Sequence, residues 1–179
     1  MPRILLIDDH AMVREGFRRL LEEADGFEVV AEAGTPSEAL AAVRDHAPDL
    51  ALVDLSLGCE TSGLVLLLQI HESHPDTRCV VLSMHDDPGL VVRALERGAA
   101  GYFSKAVAAE ELIEGLRRVM NGERVLSTDL APPKADGEAS ALTQRERETL
   151  RGLLSQDVPQ RRRDVGGGQA GRGHLVEQR

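Results

Sequence analysis

Aliphatic runs and helical patterns alternate along the first 122 residues, and no other feature constrains the fold as much. Ile4-Leu5-Leu6-Ile7 is continuous and apolar, as a strand covered on both faces must be. Met12, Val13, Phe17, Leu20 and Leu21 then recur at helical spacing. Phe27 to Ala33 reads as a second strand. Thr35-Pro36-Ser37-Glu38 is a capping-box sequence with proline at the first helical position, so a helix starts there and runs to about His46, where Pro48 stops it. Leu50 to Asp54 is the third strand, Gly63 to His74 a helix, and Cys79 to Ser83 the fourth strand. Pro88 to Arg97 is a helix that Gly98 closes, Gly101 to Phe103 a short fifth strand, and Ala108 to Asn121 a helix closed by Gly122. The pattern is (βα)5. It predicts an α/β, doubly wound, five-stranded parallel sheet with helices on both faces.

The polar residues at the strand ends say what such a sheet could do. Asp8-Asp9, Asp54, Ser83 and Lys105 each stand at or just past the C-terminal end of a strand, the edge where open parallel sheets bind ligands. Three carboxylates meeting there repel one another unless a cation joins them. A carboxylate such as Asp54 can attack phosphorus, with a metal offsetting charge. Magnesium takes one or two carboxylates with phosphate oxygens and water. Asp8, Asp9 and Asp54 supply that, along with the backbone carbonyl of Ser56. Lys105 can hold a phosphoryl oxygen as a point charge, and the Ser83 hydroxyl can donate to one. Each residue also has a plainer role: acids cap helices, lysines sit on surfaces, serines end strands. Tyr102, the only tyrosine, is either half-buried packing or a switch.

Composition narrows the class. The formal net charge of -9 argues against nonspecific nucleic-acid affinity, and 2% aromatic residues make the core aliphatic. No stretch is long enough to span a bilayer, and Ile4–Ile7 is too short for a signal peptide. Cys59 and Cys79 form neither a metal spacing nor a disulfide framework, so a reduced, cytoplasmic setting is expected. His71 and His74, three apart on a helix, could pair on a metal but read rather as a solvated helix face, and His10 and His85 flank the acidic site. His85, two residues past Ser83, could tune water access there.

Beyond residue 122 the pattern changes. Residues 123–140 read as a linker around Ala131-Pro132-Pro133. Thr143 and Glu146 form a second capping box, and Leu150, Leu153 and Leu154 give one apolar face, predicting a helix from Gln144 to about Leu154 within residues 141–155. Residues 156–179 hold Arg161-Arg162-Arg163 and Gly166-Gly167-Gly168 with no apolar periodicity, and read as disordered.

These motifs carry a resemblance. Residues 1–122 resemble a receiver domain of the two-component response regulators, and DDHAMVREGFRRLL, VVLSMHDDP and GYFSK resemble its NarL/FixJ branch. LTQRERETLRGLL resembles the start of a LuxR-type helix-turn-helix domain. The resemblance implies phosphorylation of Asp54 by a histidine kinase, magnesium on Asp8, Asp9 and Asp54, phosphate sensing by Ser83 and Lys105, and Tyr102 as a rotamer switch. It further implies a cytoplasmic transcription regulator that is not a turnover enzyme. The surface of the last strands and helices would govern homodimerisation or contact with the output segment.

Two features depart from the pattern. Gly58 replaces the family's proline, and the loop through Gly63 looks one residue longer, which predicts a looser loop and an altered phosphoryl lifetime. Glycines also stand where a recognition helix would enter the major groove. The expectation is a truncated or frameshifted output domain without specific DNA binding, against a functional basic tail. A stand-alone receiver, acting as phosphoryl sink or protein-binding module, is therefore the alternative function. A phosphatase of the haloacid dehalogenase type would need an aspartate two residues after the nucleophile, where this chain has Ser56.

Overall fold

Each aliphatic run becomes a strand because helices cover both of its faces. The computed structural model describes residues 1–24, 26–58, 63–128, 130 and 144–156, except for the side chain of Arg147. The elements are β1 (Arg3–Ile7), α1 (Ala11–Glu23), β2 (Glu28–Ala33), α2 (Pro36–His46), β3 (Leu50–Asp54), α3 (Gly63–Ser73), β4 (Arg78–Ser83), α4 (Pro88–Glu96), β5 (Ala99–Ser104), α5 (Ala109–Met120), β6 (Val125–Leu126) and α6 (Gln144–Leu154). All strand pairs are parallel, in the order β2-β1-β3-β4-β5-β6. The expected five-stranded sheet is thus extended by a sixth strand. β6 pairs with β5 inside the segment expected to be linker, and Val125 is buried there. Two residues are too few to show a periodicity, so only tertiary pairing reveals this strand.

Successive strand residues face opposite sides of the sheet. Leu5, Ile7, Ala51, Val53, Cys79 and Val81 meet Val43, Leu67, Ile70 and Leu95 from α2, α3 and α4. Ile4, Leu6, Leu50, Leu52, Val80 and Leu82 meet Leu21, Leu112, Leu116 and Val119 from α1 and α5. Gly115 in α5 leaves room for the Phe103 ring, whose Cζ lies 2.3 Å from where a Cβ on Gly115 would stand. Cys79 is a buried free thiol, and burial pushes its pKa up to about 12.

Local signals set the helix ends. Thr35 Oγ1 accepts from the Glu38 amide at 3.3 Å, while Glu38 Oε2 takes the Gly34 amide at 2.8 Å. Asp87 caps α4 by accepting from Leu90 N at 2.8 Å. Gly98, at φ 94°, lies against the His71 ring, so His71 packs on a neighbouring loop and is not part of a fully solvated face.

α6 spans the residues expected and packs on α4. Its Leu150 is buried, and Leu153 and Leu154 rest on the same cluster. Among the described residues no helix is long and apolar enough to cross a membrane. The Pro-rich linker core, Thr143 of the second capping box, Cys59 with residues 60–62 of its loop, and the tail from residue 157 lie outside the described residues.

Candidate functional site

The chain leaves β1 outward to β2, then crosses back to β3, so the crevice between β1 and β3 is a topological switch point. Ile7 pairs with Val53, which sets Asp8 beside Asp54 one step further on. Both carboxylates are buried, at 6% and 2% exposure. Two like charges so enclosed need a counter-charge, and β5 delivers it. Lys105 Nζ lies 2.6 Å from Asp8 Oδ2 and 2.8 Å from Asp54 Oδ2. Burial opposes the lysine's charge, but the adjacent carboxylates of Asp54 and Asp8 outweigh it and hold its pKa above the ordinary lysine value. Its amide donates to Ser83 O at 2.8 Å, which locks this turn to the end of β4.

Asp54 Oδ1 accepts from the Ser56 amide at 3.0 Å. Asp54 Oδ2 is buried and, although close to Lys105, has no partner at a hydrogen-bonding angle. Asp9 Oδ2 accepts from the Gly58 amide at 3.0 Å. Asp8, Asp9, His10 and Asp54 each offer a ligand atom, all within 4.8 Å of one another. An orphaned buried carboxylate oxygen among hard oxygen donors suits a divalent cation, so these residues fit a magnesium ion. For Ser56 the geometry gives the amide contact to Asp54; the carbonyl's part remains an expectation.

Ser83 is fully buried, and its hydroxyl oxygen accepts from the His85 amide at 3.1 Å. Tyr102 is fully buried rather than half-buried, and its hydroxyl donates to His85 O at 2.8 Å. Burial holds its phenol pKa up, the Ser83 hydroxyl acts the other way, and Asp87, Asp86 and Asp54 add to the rise. Serine, tyrosine and the loop at His85 thus form one hydrogen-bonded unit beside the acids.

Two residues of the site had no assigned role in the sequence reading. His10 Nδ1 lies 2.7 Å from Asp9 Oδ1 and 3.3 Å from Asp8 Oδ1. Its adjacency to the acid pair was the available signal. Arg14 donates to Asp8 O at 2.6 Å and pairs with Glu32 at 2.9 Å. No local pattern announces that contact, because Glu32 comes from β2.

Known proteins resemble this chain. The family model described as the response regulator receiver domain matches residues 4–117. Response regulator UvrY of Escherichia coli (strain K12) is 33% identical over 159 residues, covering 84% of this chain and 72% of UvrY. Transcriptional regulatory protein UhpA of Salmonella typhimurium is 39% identical over 153 residues, covering 86% of this chain and 76% of UhpA. Among solved structures, a two-component response regulator of the LuxR family from Aurantimonas sp. SI85-9A1 is 35% identical with a TM-score of 0.69, over 73% of this chain and 92% of that one.

Proposed function

This chain belongs to the response regulator receiver family, and on that premise we propose that Asp54 accepts a phosphoryl group from the phosphohistidine of a sensor kinase. The observation that carries the reading is the buried Asp54–Lys105–Asp8 triad beside Asp9 at the switch point. Receiver domains bind magnesium at an acidic pocket; here Asp8, Asp9 and Asp54 would hold it, with the Ser56 carbonyl. The ion supplies charge neutralisation for the entering phosphoryl oxygens.

An Asp54 carboxylate oxygen attacks phosphorus. The nitrogen–phosphorus bond of the donor breaks, and its electron pair stays on the donor imidazole. Lys105, held in its charged form, takes up a phosphoryl oxygen. The Ser83 oxygen accepts from the His85 amide, and its proton, turned from the Tyr102 hydroxyl toward the site, would serve a second one. A shift of Ser83 is passed to His85, which Tyr102 also holds, and through the Asp87 cap to α4. α4 carries α6, so the output segment sits on the element that would move. In this family the output is transcription regulation, which we carry to this chain as a cytoplasmic regulator with DNA and a second copy as partners. The glycine-rich sequence after residue 156 favours the second reading, a receiver that does not read DNA by sequence. By either reading it is a signalling protein, not a turnover enzyme.

Acetyl phosphate with magnesium, followed by mass spectrometry, tests the acceptor. Asp54 should carry the only label and Asp54→Asn none; label on Asp8 or Asp9 would refute the assignment. A promoter footprint that survives competitor DNA would decide for DNA readout over the stand-alone receiver.

A further inference from the structure

We infer that His10 is an additional ligand of the acidic metal site and biases it from magnesium toward divalent transition ions such as manganese and zinc. The inference rests on the metal site proposed above.

The two oxygens of Asp8 face different neighbours. Oδ2 meets Lys105, and Oδ1 accepts from the His10 amide at 2.8 Å. That second bond turns the chain so that the exposed imidazole still reaches the acids. Nδ1 then stands 2.7 Å from Asp9 Oδ1 and 3.3 Å from Asp8 Oδ1. On Asp8 the lysine and the histidine therefore meet different oxygens. A position remains between Asp8, Asp9, His10 and Asp54, whose ligand atoms fall within 4.8 Å of one another. Donors on opposite sides of an octahedral ion with bonds of about 2.1 Å stand about 4.2 Å apart, so the cluster needs only a small contraction. Asp54 Oδ2 is buried, and its one close neighbour, Lys105 Nζ at 2.8 Å, does not meet it at a hydrogen-bonding angle, so this oxygen retains a lone pair for an ion. The imidazole is two-thirds exposed, with a side-chain value of 66%, and can turn onto an incoming ion without breaking core packing.

The donor set decides the chemistry. Carboxylates and water suit magnesium, whereas an imidazole nitrogen favours manganese less than zinc, and both over magnesium. One nitrogen among oxygens is enough to separate these ions without abolishing magnesium binding. The exchange is simple: the His10–Asp9 contact is given up, and the metal binds the neutral ring and the freed carboxylate.

The test uses the full chain and its His10→Ala variant, with circular dichroism to establish that both are folded. Pulsed electron paramagnetic resonance of bound manganese should show nitrogen coupling in the native chain and none in the variant. The other five of the six histidines remain in that variant, so the lost coupling belongs to His10. Calorimetry should show zinc affinity falling at least tenfold and magnesium affinity less than threefold. Absent nitrogen coupling in the native chain, coupling retained in the variant, or equal losses for zinc and magnesium would overturn the assignment. If the native chain binds no magnesium at millimolar concentrations, the metal site itself fails, whatever His10 does.

Discussion

The amide of Gly58 donates to Asp9 Oδ2 at 3.0 Å, tying the loop after β3 to the acid pair after β1. A Cβ on residue 58 would lie 2.7 Å from that same oxygen. Gly58 does not adopt a positive φ, so its value here is space and a free N–H rather than an unusual backbone state. A proline at this position would supply neither. The looser loop expected from this glycine is therefore not seen at Gly58 itself, which is fastened to the site.

Gly58→Ala should push the Asp9 carboxylate aside, and Gly58→Pro should also delete its donor. Both variants should bind magnesium several-fold more weakly, while stability changes by about 0.5 kcal/mol or less, because the displaced group is the free end of a side chain. Calorimetric titration with magnesium checks this. Native affinity in both would mean that Asp9 is placed by other contacts.

Lys105 is the only cation among the described residues that pairs with both Asp8 and Asp54. Lys105→Met leaves two buried carboxylates without their charge partner and should destabilise the domain by about 1–3 kcal/mol. Magnesium restores positive charge at the same oxygens, so it should raise the melting temperature more in this variant than in the native chain. Equal shifts in thermal melts would contradict a shared site.

Glu32, which pairs with Arg14 beside the site, gives a pH signature. Burial pushes its carboxyl up, but hydrogen bonds from Arg14 and Arg18 together outweigh that and hold its pKa below 4.5. A depressed folded-state pKa contributes stability above the unfolded value, and that contribution fades as pH falls through the folded value. Glu32→Gln should therefore cost about 1 kcal/mol near neutrality, discounted for the pair's partial exposure. The difference should close as pH drops below 4.5. Urea melts at pH 7 and pH 3 measure it; a constant difference would assign the effect to packing.

Leu150 is 1% exposed and joins the core cluster beneath α4. Leu150→Ala should cost about 2–4 kcal/mol of that docking. Undocking α6 needs less disruption than opening the sheet, so the loss should appear locally. Hydrogen exchange should speed up across Gln144–Leu154 and stay unchanged in β1, β3 and β4. Uniform acceleration would mean that α6 is part of the global folding unit.

Much of this was legible because the signals are local. The runs at Ile4–Ile7, Leu50–Asp54 and Cys79–Ser83 are buried on both faces, and such burial demands unbroken apolar sequence. Thr35, Asp87, Gly98 and Gly122 mark helix ends through short-range chemistry. Strand-end placement in the sequence puts Asp8, Asp9, Asp54, Ser83 and Lys105 on one edge. The less visible features depend on distant partners. β6 exists because β5 offers an unpaired edge, Tyr102 is fully enclosed because the loop at His85 accepts its hydroxyl, and His71 is packed because Gly98 lacks a side chain.

The sequence by itself determined the alternating architecture, the sheet edge that carries the chemistry and the residue types gathered there, since periodicity and capping act over a few residues. Only the tertiary structure decided how those residues share their charges. Lys105 bridges Asp8 and Asp54, Gly58 and His10 divide the oxygens of Asp9, and α6 lies on α4, although these partners are far apart in the chain, apart from the neighbours Asp9 and His10. Electrostatic and packing energies depend on distance in space, and that distance is set when the parallel strands close the sheet.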